Sequence, residues 1–190
     1  VEELADRFLA KFQAALAALT PGDPMDLATT LGPLSAEAAL LHLLDQIEEA
    51  VANGATLLMG GKRIDRPGSY MQPTILTNIK PENPAFREEF FGPVALFFRV
   101  KNEDEAIALA NDSEFGLGGS VFTGDVERGK RVASRIDTGV VFINHPTWTA
   151  SDLPFGGIKN SGYGRELSSM GIQEFVNKKL VRVSSIDASV

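Results

Sequence analysis

Glu88-Glu89-Phe90-Phe91-Gly92-Pro93 sets acids, aromatics and a rigid turn directly before an apolar run, Val94 to Val100. An ionised carboxylate only accepts hydrogen bonds, and it can take two from a vicinal diol such as a ribose. An aromatic two residues after the acid could lie against a flat ring. Gly92 lets backbone come close, and Pro93 fixes the entry into the strand. On spacing alone, a charged loop with one core phenylalanine explains the same residues more economically. A second candidate stretch is His145 to Leu153, followed by Pro154-Phe155-Gly156-Gly157. It holds the only tryptophan, Trp148, and among its hydroxyls Thr149 and Ser151 could donate to a polar or anionic ligand tail. Packing of the loop and a place in a substrate wall are both open to Trp148.

Other patterns carry less. Gly124-x-x-x-x-Gly129-Lys130 begins like a phosphate-binding loop, but Arg131 stands where a magnesium-binding hydroxyl belongs, inside an expected helix. Gly116-Leu117-Gly118-Gly119 lacks a third glycine and precedes a strand. Asn111-Asp112-Ser113 is a glycosylation sequon by pattern alone. Paired acids at Glu88-Glu89 and Glu103 to Glu105 read as solvated caps, not a metal site. With no cysteine, disulfides, thiolate metal sites and cysteine catalysis within the chain are excluded, and His42 and His145 alone make a poor zinc site. His42 falls off the apolar stripe of its helix, facing solvent.

The elements that must position these residues follow from periodicity. A helix is expected from residue 2 to Leu19, with Val1, Leu4, Ala5, Phe8, Leu9, Phe12 and Leu16 on one stripe. The chain opens inside this pattern without a methionine, which points to truncation. A second helix is expected after a Ser35 cap, with Leu40, Leu43, Leu44, Ile47 and Val51 inward and Gly54 as its stop. Thr56 to Met59 and Thr74 to Leu76 suggest a hairpin-like excursion. Val94 to Val100, a helix capped by Asn102, a strand at Gly119 to Thr123, a helix capped by Asp125 and a strand at Gly139 to Asn144 alternate. Apolar strands between helices imply crossovers onto a covered parallel sheet, an α/β fold. Residues 145–166 are expected as loop, followed by a short helix near Leu167 to Gly171 and a late strand from Glu174 to Val183. That strand must pair with its own sheet edge or with a partner subunit.

At 190 residues, with 44% hydrophobic and 23% charged side chains, the chain suits a soluble globular domain. A formal charge of −7 argues against nucleic acid or an anionic membrane. No apolar run approaches the roughly 20 residues of a membrane helix. The absence of a signal-peptide pattern is read as a cytoplasmic location.

Glu88 to Pro93, Pro154 to Gly157 and Ser161 to Glu166 resemble signature stretches in the C-terminal half of NAD(P)-dependent aldehyde dehydrogenases. Leu31 to Leu34, Ala110 to Leu117 and Gly139 to Asn144 are similar to further landmarks of that family, in the same order. The resemblance covers the whole chain and looks nearest to bacterial succinate-semialdehyde dehydrogenases. It implies an α/β parallel-sheet catalytic domain portion at residues 1–172, without the N-terminal cofactor domain, and a C-terminal oligomerisation strand and tail at 173–190. It implies NAD or NADP as cofactor, with Glu89 on the nicotinamide ribose and Phe91 on the nicotinamide ring. Glu88 and Phe90 are left to solvation and packing. It places Trp148, Thr149, Ser151 and Phe155 on the aldehyde site. Read from their own chemistry, Arg165 and Glu166 are structural, pinning the loop's return through charge-assisted bonds. In the family a cysteine thiolate attacks the aldehyde, hydride passes to the cofactor, and glutamate-activated water releases the acid. With no nucleophile, this chain alone is expected to be inactive. The partners implied are a small aldehyde, succinic semialdehyde above others, the missing N-terminal part, and like subunits in a dimer or tetramer. A cysteine-free binding or oligomerisation module of the same fold is the alternative. An α/β protein sharing only local patterns is a third.

Overall fold

The computed structural model describes residues 1–187. The chain divides into two compact units, Val1–Ala106 and the residues from Ile107 onward.

In the first unit, α1 (Glu2–Ala17) and α2 (Glu37–Ala52) precede a three-stranded sheet of β1 (Thr56–Met59), β2 (Thr74–Thr77) and β3 (Val94–Phe97). β1 and β2 pair antiparallel, which bears out the hairpin-like excursion, and β2 and β3 pair parallel from Thr74↔Val94 to Thr77↔Phe97. The α2 stripe is Leu40, Leu43, Ile47 and Ala50, packed with Met71, Leu76, Ile79 and Ala85 into one core. Val51, expected on that stripe, is exposed. Ser35 does not cap α2. Ala36 occupies the cap without a side-chain bond, and Glu37 in the first turn accepts from Arg63 and from Ser69 Oγ instead. Gly54, at φ +96°, ends the helix in the left-handed conformation that glycine adopts freely. Helix α1 buries only Ala5; Phe8 stacks on Phe97, and the Glu2 N–H donates to the Val100 carbonyl.

Helix α3 (Glu103–Asn111) runs across the boundary between units. Asn102 caps it, accepting from the Glu105 N–H at 2.9 Å while Glu105 reaches back to the Lys101 N–H. In the second unit β5 (Gly118–Val121) and β6 (Val140–Ile143) pair in parallel and α4 (Val126–Ala133) joins them. Asp125 caps α4 through the Arg128 N–H at 3.0 Å. The alternation thus forms two parallel strand pairs, one in each unit, with an antiparallel strand added beside β2. A short antiparallel ladder joins β4 (Phe115–Gly116) to β7 (Ile158–Lys159), and β7 lies inside the stretch expected as loop.

Helix α5 (Ser168–Gly171) leads into a 3₁₀ turn at Ile172–Phe175. The expected strand at Glu174 to Val183 has no ladder partner among the described residues. The last three positions of the expected tail, 188–190, lie outside the described residues. No helix among the described residues is long and apolar enough to cross a membrane.

Candidate functional site

Six residues were singled out by sequence, and they divide between the two units: Glu89 and Phe91 in the first, Trp148, Thr149, Ser151 and Phe155 in the second.

The loop that carries Glu89 is fixed at both ends and in its middle. Buried Asn83 donates to the Ala50 and Asn53 carbonyls at the end of α2 and accepts from the Ala85 N–H. At the far end the Thr74 N–H donates to the Pro93 carbonyl, which enters the loop into β3 beside β2. In the middle, Gln46 of α2 donates from Nε2 to a Glu88 carboxylate oxygen at 3.0 Å and to the Glu89 carbonyl at 3.4 Å. Gly92 lies so near α2 that a Cβ there would sit 2.3 Å from Leu43 Cδ1. Its close approach is to the core of its own unit.

This frame splits two adjacent aromatics. Phe90 packs onto the core cluster, while Phe91 remains 77% exposed. The plainer reading needed one core phenylalanine, and Phe90 fills that role. Phe91 gains little from the fold, since burial of such a side chain is worth roughly 1.5–3 kcal/mol. The Glu89 side chain is exposed and has no partner among the described residues. An open carboxylate beside an open ring on a pinned loop suits a ligand offering hydroxyls and a flat ring.

Gln46 was missed by sequence reasoning. It is only 8% exposed, and its Oε1 is buried with no partner. An orphaned buried acceptor costs about 1–3 kcal/mol. The signal was present: an amide three residues after Leu43 and four before Ala50, on an otherwise apolar stripe.

In the second unit Asn144 ends β6 at φ +57°. Its amide donates to the Thr123 carbonyl and accepts from the Thr123 N–H, aiming the chain out of the sheet. Trp148 follows, 63% exposed and edge-on to His145, which itself rests on Phe142. Thr149 and Ser151 are exposed, and the Ser151 carbonyl accepts from the Ser168 N–H. Phe155 is half-buried and bound by two backbone hydrogen bonds to Glu166, at 2.9 and 2.7 Å. Arg165 donates from its guanidinium to the Gly157 and Gly164 carbonyls, the charge-assisted pin expected of it, whereas Glu166 holds the loop's return through its backbone and not its carboxylate. A Cβ on Gly139 would fall 1.8 Å from the Gly156 carbonyl oxygen, so the Phe155-Gly156-Gly157 backbone lies directly on the start of β6. The sequon's Asn111 is engaged through its amide with Arg135 and Asp137 backbone and serves as a local lock. A cavity of about 360 Å³ in the first unit, lined by Leu9, Leu58, Phe97 and Arg99 among others, holds none of the six residues.

Residues 1–181 match the family model described as the Aldehyde dehydrogenase family. The chain belongs to that family. Over 182 residues it is 55% identical to a succinate-semialdehyde dehydrogenase, named for NADP(+), of Deinococcus radiodurans, covering 96% of this chain and 38% of that protein. A probable succinate-semialdehyde dehydrogenase of Synechocystis, also named for NADP(+), is 47% identical over 95% of this chain and 40% of its own length. The fold matches the succinic semialdehyde dehydrogenase of Streptococcus pyogenes, solved with NADP+, at TM-score 0.94 and 45% identity, over 97% of this chain and 40% of that one. It matches an aldehyde dehydrogenase of Mycobacterium tuberculosis, complexed with NAD+, at TM-score 0.91 and 35% identity, over 100% and 39%. The chain thus spans about 38–40% of the length of the curated relatives it matches.

Proposed function

We propose that this chain is the C-terminal part of an enzyme that oxidises an aldehyde, succinic semialdehyde above others, to its carboxylic acid with NAD or NADP. Residues 1–172 are its share of the catalytic domain, and 173–190 its oligomerisation segment. The observation that carries the reading is the division of labour at Phe90 and Phe91. One ring is committed to the core, leaving the next ring and the Glu89 carboxylate free on a braced loop.

The cofactor supplies the hydride acceptor. Glu89 accepts hydrogen bonds from the nicotinamide ribose hydroxyls, and Phe91 covers one face of the adjoining ring. Both effects are positional, and orientation of this kind carries much of an enzyme's rate. Trp148 and Phe155 give the aldehyde an apolar wall. Thr149 and Ser151 donate to its polar end, which suits a substrate with a carboxylate tail. The nucleophilic thiol belongs to protein outside this chain, since the chain has no cysteine. The relatives named for succinate-semialdehyde support the substrate class, and those named for NADP(+) or solved with NAD+ support either dinucleotide.

The test uses the full-length protein. Glu89→Gln is expected to slow the pre-steady-state burst of reduced cofactor about tenfold, the scale of one charge-assisted hydrogen bond, with release of the acid nearly unchanged. A burst of unchanged rate would overturn the assignment of Glu89. Full-length protein that turns over no aldehyde would favour a cysteine-free binding module of the same fold.

A further inference from the structure

We propose that Gln46 is a positioning residue, tethering the middle of the Glu88–Pro93 loop so that Glu89 and Phe91 are presented to the cofactor. This rests on the reading of Glu89 and Phe91 given above.

Gln46 lies among the buried residues of α2 and is itself more than nine-tenths buried. Its Nε2 bonds to the Glu88 carboxylate and the Glu89 carbonyl, and its Oε1 has neither partner nor solvent. The amide orientation follows from the chemistry. Reversed, its oxygen would face a carboxylate and a carbonyl, with no donor among them. A leucine at this position would remove an orphaned acceptor from the core, so the amide is not there for stability. What it provides is a link to the backbone of Glu89 itself. Glu88, at the other end of that link, is exposed and can turn to water if the link is lost. Among the described residues the Glu89 carboxylate and the Phe91 ring have no such anchor of their own.

The experiment compares Gln46→Leu, Gln46→His and Glu89→Gln in the full-length protein. Thermal midpoint, the Kd for NAD+ and NADP+ by fluorescence titration, the hydride burst and the aldehyde KM are measured for each. Gln46→Leu should leave the midpoint unchanged or raised, yet weaken cofactor binding and slow the burst by roughly three- to tenfold, the scale of one ordinary hydrogen bond. Its aldehyde KM should not move. Gln46→His keeps an N–H donor and should recover most of the loss. Cofactor binding and burst equal to the parent's in Gln46→Leu, with Glu89→Gln impaired, would overturn the tether and leave the Glu89 assignment standing. A lowered midpoint with parallel losses in every constant, unrescued by histidine, would overturn it as well, making Gln46 a residue of the fold. Should Glu89→Gln prove silent, the assignment of Glu89 falls and the tether with it.

Discussion

Phe90 and Phe91 are neighbours with opposite obligations, and their substitutions should separate. Phe90→Ala removes packing against the core and is expected to cost about 2–3 kcal/mol, at or below the range for a fully buried phenylalanine. Phe91→Ala strips an exposed ring and should stay within about 0.5 kcal/mol of the parent. Denaturant midpoints measure both, and cofactor titration should respond more to the second. Gly139→Ala is a harsher change, because its Cβ meets the Gly156 carbonyl, backbone that cannot swing aside. Overpacking of this kind costs about 1–3 kcal/mol, and a midpoint equal to the parent's would show that the loop moves freely. The sequence showed which residues were chemically able, and resemblance chose among them. Gln46 was legible too but passed over, because a helix read by its apolar stripe hides the amide embedded in that stripe.

At the level of elements, local chemistry was legible wherever one side chain decides a boundary. Asn102 and Asp125 cap α3 and α4 as their positions suggested, and Gly54 closes α2. Asn102→Ala should cost about 1 kcal/mol, visible as reduced helicity and a lower midpoint. Ser35 misled because the α2 start is held by a distant partner, Arg63, through Glu37. The β4–β7 ladder escaped because two-residue strands have no periodicity to detect. The caps also predict an acid response. The Arg128 N–H, and to a lesser degree the charge of Arg131, hold the Asp125 carboxyl below its usual range; the Arg63 guanidinium does the same for Glu37. Both carboxyls have lower values folded than unfolded. Their contribution is therefore complete above the unfolded carboxylate range, about 3.9–4.3, and is lost as pH falls through the folded values. Protection of the Arg128 amide, its exchange rate relative to an unstructured amide at the same pH, should fall in that window and stay constant from pH 6 to 8.

Across the whole molecule, the α/β character was legible from alternation, whereas the grouping of strands was not. Periodicity reports which residues are inward, but not which strand lies beside which. The tail shows the same limit. Phe175, Leu180, Val181, Val183 and Ile186 are all exposed, on a segment without a strand partner among the described residues. If this segment joins subunits, deleting residues 176–190 from the full-length protein should lower its mass by light scattering to that of a smaller assembly. An unchanged mass would remove the tail from the interface. The contact of Gly139 with Gly156 bears, finally, on how such a protein could be retrained toward another aldehyde. The glycines tolerate no new atoms, whereas Trp148, Thr149 and Ser151 project from backbone that makes no ladder. A library randomised at those three positions, with 139 and 156 left alone, should keep most of its members folded while varying the groups a substrate would meet.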